Sequence, residues 1–288
     1  MLLTQAKEMF LQHLIGLGRS DETIRGYKNI LDNLERYFAD KYNVPIYTDE
    51  VSHADLDDFI YYMSLNYDWQ PNSLKKCHYT LKSFFGYLFR KEIIPKDITQ
   101  QLQPIRGEQK ERVYLTPDEF SELIEVLEPP VIRVIAETMY YSGMRVSEVI
   151  NLKLEDVNFK KGVFHVRKPK SKIDRIVPMH QELKKLLKEY LEVLRPDVDS
   201  ERFFATERTG KVSRQYVDKR LKKAGEMLGW KKELYPHVLR HSFASNLIKK
   251  NKNLVHVQKL LGHADLRTTS VYTHAKMDEL IESVNSLE

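Results

Sequence analysis

The chain has one cysteine, Cys77, in 288 residues. No disulfide can form within it, and a reducing compartment, the cytoplasm, is the simplest expectation. No apolar run approaches the length that spans a bilayer. Lys7, Glu8 and His13 interrupt the stretch from Met1 to Leu17, which therefore lacks the apolar core of a secretory signal. No membrane partner is expected. There is no P-loop and no dinucleotide fingerprint, so the usual phosphate-cradling loops of nucleotide chemistry are missing. No Cys/His cluster is present. His237 and His241 stand at i,i+4, but no HExxH carboxylate lies between them and no third ligand is evident. The acidic run Asp55, Asp57, Asp58 reads as a solvated helix face. Chemistry that uses no metal, nucleotide or other cofactor is the expectation.

What is present fits a soluble globular protein. Hydrophobic residues make up 42% and charged residues 30%, too apolar for a disordered chain, and the length suffices for two domains. The net charge of +5 is unevenly spread. Residues 1–112 hold 15 Lys and Arg against 16 Asp and Glu, whereas residues 201–263 hold 15 against 5. So concentrated a basic segment points to a polyanion partner; a solvated Lys-rich face is the other reading.

The first hundred residues read as helices. Ser20 or Asp21 can cap a segment in which Ile24, Tyr27, Leu31, Leu34 and Phe38 recur at helical spacing. Ser52 and Asp55 form a capping-box pattern ahead of Leu56, Phe59, Ile60 and Met63. Pro71 opens a further helix whose buried face is Leu74, Cys77, Leu81, Phe84, Phe85 and Leu88. Residues 92–113 change character: Pro95, Pro104 and Gly107 break the periodicity, and Glu108 to Arg112 are densely charged. This sets domains at 1–103 and 114–288 with a linker at 104–113.

Thr116-Pro117-Asp118-Glu119 opens the second domain with a cap, an N1 proline and a boxing glutamate. Helices follow through Ser142. Val163–Val166 and Arg175–Pro178 look like two short strands around a Lys-rich turn. Helices return at about 180–194, 213–228, 237–249 and 254–261, and a last one covers Lys276 to Leu287. The fold class is mainly α in two domains, the second with a small antiparallel sheet.

Four segments carry candidate chemistry. His237 and Arg240 lie at i,i+3 on one side of a helix, with Leu239, Phe243 and Leu247 marking its buried side. Pro236 places His237 at the positive end of that helix, where an anion is welcome. In Ser142-Gly143-Met144-Arg145-Val146-Ser147-Glu148, Gly143 ends one helix and Arg145 sits at the mouth of the next, where its fork can present two donors to a phosphate. Leu260-Leu261-Gly262-His263 puts a histidine just past a glycine C-cap. Tyr272 follows within Thr268 to His274. Each feature alone also fits an ordinary amphipathic helix, a surface arginine or a structural tyrosine.

Taken together and in this order, SGMRVSE, a Lys-bearing hairpin, HVLRHSFA, LLGH and TTSVYTH resemble the tyrosine recombinase (phage integrase) family, and are similar to its simple Xer-type members. The resemblance covers the second domain and extends weakly to the first, in SDETIRGYKNIL and the helix ending at Lys91. It implies a SAM-like helical core-binding domain and a catalytic domain closing as a clamp around duplex DNA. It implies that Arg145 and Arg240 bind the scissile phosphate and that His237 and His263 hydrogen-bond it and help move protons. Tyr272 would attack phosphorus to give a 3′-phosphotyrosyl link, and a hairpin lysine would protonate the departing 5′-oxygen. The turn from Arg167 to Arg175 is longer by one residue than in many members. Counting back from Val177-Pro178 selects Lys170; counting forward selects Lys168 or the position of Pro169, and Lys172 stays open.

The implied partners are duplex DNA bearing a recombination site and further protomers, as a homotetramer on paired sites that passes through a Holliday junction, or a second recombinase. A DNA translocase or other accessory protein is a further possible partner. The chain starts almost directly with the core-binding segment, from which short, simple target sites are expected. Met277, Leu280, Ile281, Val284 and Leu287 form an apolar stripe expected to dock on a neighbouring protomer, with docking on its own domain as the alternative. Two rival functions are a type IB-like topoisomerase and a catalytically silent DNA-binding regulator.

Overall fold

The computed structural model of the chain describes residues 1–106, 113–167, 174–250, 254–261, 281, 282, 284 and 285. Its contacts divide into two units, Met1–Lys110 and Glu111–Glu288.

Four helices build the first unit: α1 (Leu3–Gly16), α2 (Asp21–Tyr42), α3 (His53–Tyr67) and α4 (Pro71–Arg90). The start signals act as expected. Ser20 Oγ accepts from the Thr23 amide at 3.2 Å. Ser52 and Asp55 exchange backbone-to-side-chain bonds of 3.2 and 3.0 Å, which satisfies two otherwise orphaned N–H groups. The buried faces of the four helices meet in one core around Phe10, Leu34, Phe38, Phe59, Phe84 and Leu88. Phe10 and Phe84 pack edge to face at 5.4 Å, the favoured arrangement of aromatic quadrupoles. The change of character from residue 92 does not mark free chain throughout. Ile94, Ile98 and Leu102, spaced four apart, are buried in this helical core.

The second unit contains α5 (Pro117–Val126), α6 (Pro130–Ser142), α7 (Val146–Ile150), β1 (Val157–Asn158), β2 (Val163–Val166), β3 (Arg175–Pro178), α8 (Gln181–Glu189), α9 (Arg214–Met227), α10 (Pro236–Lys249) and α11 (Leu254–Leu261). Thr116 and Glu119 form the expected box at the start of α5. The sheet is antiparallel in the order β1-β2-β3, with Phe164 opposite Val177 and Val166 opposite Arg175. β1, a two-residue strand, was not expected. The helix expected at 180–194 splits: α8 ends at Glu189 and the chain widens into a π-helical turn at Tyr190–Leu194, with Tyr190 fully buried.

α10 packs against α6 in this unit. Its burial is broader than the single stripe expected. Val238, Ser242 and Asn246 are buried as well as Leu239, Phe243 and Leu247. The polar members are satisfied: Ser242 Oγ donates to Val238 O at 2.8 Å within the helix and accepts from the Leu115 amide at 2.7 Å, and Asn246 Nδ2 donates to Tyr140 Oη at 2.9 Å. A helix buried on several sides is rigidly held.

The terminal stripe has two expected docking places, a neighbouring protomer and its own domain. Val284 is buried in a cluster with Phe243, Leu247, Val257, Leu260 and Leu261, and Asn285 Oδ1 accepts from the Gln181 amide at 3.3 Å. Within this single chain Val284 fills the apolar surface between α10 and α11. Met277, Leu280 and Leu287 lie outside the described residues.

Candidate active site

The turn between α6 and α7 places Arg145. Gly143 ends α6 with φ 65°, and its amide donates to Met139 O. Only glycine tolerates this position twice over: the left-handed conformation disfavours a side chain, and a Cβ there would lie 2.4 Å from Phe243 Cδ1. Two residues later Arg145 forms the N-cap of α7. Its amide donates to Glu148 Oε2 at 2.7 Å and its Nη1 to Glu148 Oε1 at 3.2 Å.

Arg240, on the second turn of α10, is only 5% exposed. Its Nη1 donates to Gly143 O at 2.6 Å and its Nη2 to Leu261 O at 2.7 Å. One guanidinium thus ties the α6–α7 turn and the end of α11 to α10. Burial first, then the charge of Arg145, pushes its pKa down to about 10; it stays a cation at neutral pH.

His237 is the second residue of α10, after Pro236 at N1, and is partly exposed. Burial lowers its pKa, and Arg214, Arg240 and Arg145 lower it further. The ring is held largely neutral at neutral pH and keeps a lone pair able to accept a proton. The same influence shows that Arg145, Arg240 and His237 share one electrostatic neighbourhood. Concentrated positive charge beside a helix N-terminus suits a phosphate.

Two residues without a role in the sequence reading, Glu148 and Arg175, join this site. Glu148 is quoted in the Arg145 motif, and its spacing of three from an N-cap is a capping signal. Arg175, from β3, donates Nη1 to Glu148 Oε1 at 2.7 Å and Nη2 to Oε2 at 2.8 Å. Nothing in the sequence links positions so far apart. Burial works to raise the Glu148 carboxyl, but hydrogen bonds and charge from Arg175, then Arg145, hold it down at about 2.

The structure brings Arg145, His237 and Arg240 together. His263, Tyr272 and the hairpin candidates Lys168, Lys170 and Lys172 lie outside the described residues. Among the described residues no three His, Cys, Asp or Glu side chains form a group that could hold a metal ion, and no helix is long and apolar enough to cross a membrane.

A mainly helical unit that gathers two arginines and a histidine in one electrostatic neighbourhood at a helix N-terminus is built to hold an anion such as a phosphate, and comparison with known proteins gives its class. Residues 113–279 match the phage integrase family. The chain is 34% identical over 286 residues to the tyrosine recombinase XerC of Thermodesulfovibrio yellowstonii, covering 95% of this chain and 92% of that one. It is 32% identical to the tyrosine recombinase XerD of Staphylococcus epidermidis strain RP62A, covering 91% of each. Its fold is similar to that in the crystal structure of a lambda integrase tetramer bound to a Holliday junction, with a TM-score of 0.75, 20% identity, and 96% of this chain and 80% of that one covered. The chain belongs to the phage integrase family and is a tyrosine recombinase.

Proposed function

We propose that this chain is a site-specific recombinase that cuts and rejoins duplex DNA through a 3′-phosphotyrosyl intermediate on Tyr272. The observation that carries this reading is the meeting of Arg145, Arg240 and His237, with Arg240 bound to the carbonyl of Leu261 at 2.7 Å, two residues before His263. Residues 1–103 act as the core-binding domain, 104–113 as the linker and 114–288 as the catalytic domain.

Arg145 and Arg240 bind the non-bridging oxygens of the scissile phosphate. A phosphodiester anion repels nucleophiles and gains charge on the way to the transition state, so fixed cations beside it lower the barrier. Tyr272 attacks phosphorus: its O–P bond forms as the bond to the 5′-oxygen breaks. His237 and His263 hydrogen-bond the phosphate and help carry away the phenol proton, and the lowered His237 pKa suits that acceptor role. Lys170 gives a proton to the departing 5′-oxygen. Attack by a 5′-hydroxyl from a second duplex reverses these bond changes and joins exchanged strands. Four protomers on two sites carry out the exchange in two steps through a Holliday junction. The basic segment from 201 to 263 supplies phosphate contacts; Arg208 and Lys211 line a cavity of about 350 Å³ beside the α9 N-cap Ser213.

The test mixes two distinguishable duplexes carrying the target site, identified by sequencing DNA trapped on the protein in its host. Products joining one duplex to the other support the proposal. Relaxation of supercoils without joined products would favour the topoisomerase reading, and duplex binding with no adduct the silent regulator.

A further inference from the structure

We propose that Arg175 is a positioning residue for strand cleavage: acting through Glu148, it fixes Arg145 and sets the net charge of the phosphate-binding cluster. The inference rests on the recombinase reading above.

The geometry is unequal in an informative way. Arg175 grips both Glu148 oxygens with a two-pronged fork at 2.7 and 2.8 Å, the strong form of the arginine–carboxylate bond. Arg145 reaches the same carboxylate through its amide at 2.7 Å and a longer guanidinium bond at 3.2 Å. These four donors fill the acceptor sites of one carboxylate. The Arg175 and Glu148 side chains are 12% and 11% exposed, whereas that of Arg145 is 36% exposed. A shielded pair therefore anchors a more open arginine. Arg175 also leaves its Nε buried with no hydrogen-bond partner. That is a costly way to brace a strand edge, and an apolar side chain opposite Val166 would do so without it.

Charge gives the second argument. Arg145, Arg175 and Arg240 with one carboxylate carry a net charge of +2. Removing Arg175 would leave +1. A phosphodiester carries one negative charge, and the pentacoordinate transition state formed by an attacking phenolate carries two. A cluster of +2 therefore favours the transition state over bound substrate, and only that difference accelerates the reaction. The charges do sense one another: after burial, Arg145 and Arg175 both depress the Arg240 guanidinium.

The experiment uses the full chain and a nicked suicide duplex carrying the target site. Cleavage rate, duplex affinity and thermal unfolding are measured for wild type, Arg175→Met, Arg175→Lys, Arg145→Ala and the Arg145→Ala/Arg175→Met double variant. Arg175→Met should cleave on the order of 100-fold more slowly with affinity changed less than about threefold. Arg175→Lys, which keeps the charge and loses the fork, should recover about tenfold of that loss. The double variant should cleave about tenfold more slowly than Arg145→Ala, the charge share of the loss, rather than about 100-fold, because the positioning share works through Arg145. Wild-type cleavage by Arg175→Met, losses that multiply in the double variant, or a parallel fall in affinity and rate would each overturn the proposal. If Arg175→Met does not fold, Arg175→Lys decides: a tenfold rate loss at unchanged affinity supports the positioning role, and a wild-type rate refutes it. Absence of any wild-type adduct would instead remove the recombinase reading, and this inference with it.

Discussion

Replacing Gly143 by alanine adds one methyl group at the point where α6, α10 and α11 meet. Two costs arise. The residue sits at φ 65°, a conformation that costs a non-glycine residue about 1–2 kcal/mol. The new Cβ would also lie 2.4 and 2.7 Å from two Phe243 ring carbons and 3.1 Å from Leu261 Cδ2. Phe243 is fully buried and Leu261 nearly so, so neither can swing into solvent, and overpacking of this kind costs about 1–3 kcal/mol. The expected loss is about 2–5 kcal/mol, a large share of the roughly 5–15 kcal/mol that holds a domain folded. Trp230 lies in the catalytic unit, so urea unfolding followed by its fluorescence in a Trp69→Phe background reads this unit alone. Phe243→Leu separates the two costs, because against the smaller side chain Gly143→Ala should lose only the conformational 1–2 kcal/mol or so. A loss below about 1 kcal/mol in the wild-type background would refute the reasoning, and equal losses in both backgrounds would refute its steric half.

Duplex affinity should fall steeply with salt, by a log–log slope of about −0.9 per phosphate neutralised; Lys222→Ala with Lys223→Ala, both exposed on α9, should flatten that slope, and affinity indifferent to salt would sink the electrostatic reading. Lys170→Ala should cleave slowly but regain activity on a substrate whose scissile 5′-oxygen is replaced by sulfur, since a thiolate leaves without a proton; rescue of Lys172→Ala in its place would move the general acid. Glu137 is partly buried, and that burial raises its carboxyl to about 7, against the opposing charge of Arg133. A raised folded-state pKa contributes stability below about pH 4.5 that is lost as pH rises through about 7. Glu137→Gln should therefore stabilise the fold more at pH 8 than at pH 5, by roughly 3 kcal/mol at most; equal urea midpoint shifts at both pH values would contradict this.

Short-range chemistry was legible in the sequence. Ser20, Ser52, Thr116 and Gly143 mark helix ends because the backbone groups they satisfy lie within a few residues. The β2–β3 hairpin showed for the same reason. α1 offered less to read: Leu2, its N-cap, makes no side-chain cap bond. β1 is too short to carry a period, and the π-helical turn at Tyr190–Leu194 has no marker residue of its own. The motif histidine and arginines could be picked out in order, because each sits at a helix terminus or on a helix face. The cluster could not: Glu148 meets Arg175 from 27 residues away, and Arg240 meets Gly143 from 97. Ser242 and Asn246 likewise look like ordinary polar positions until Leu115 and Tyr140 are seen to be their partners.

In the proposed mechanism Tyr272 is the nucleophile at a phosphate held by Arg145 and Arg240. A nicked suicide duplex, which loses its 5′-hydroxyl fragment by diffusion, should trap the wild-type protein on DNA without added metal or ATP. Tyr272→Phe removes one oxygen and should bind the same duplex yet form no adduct. Mass spectrometry of the digested wild-type adduct should place the nucleotide on Tyr272, whereas a nucleotide on any other residue would contradict the account.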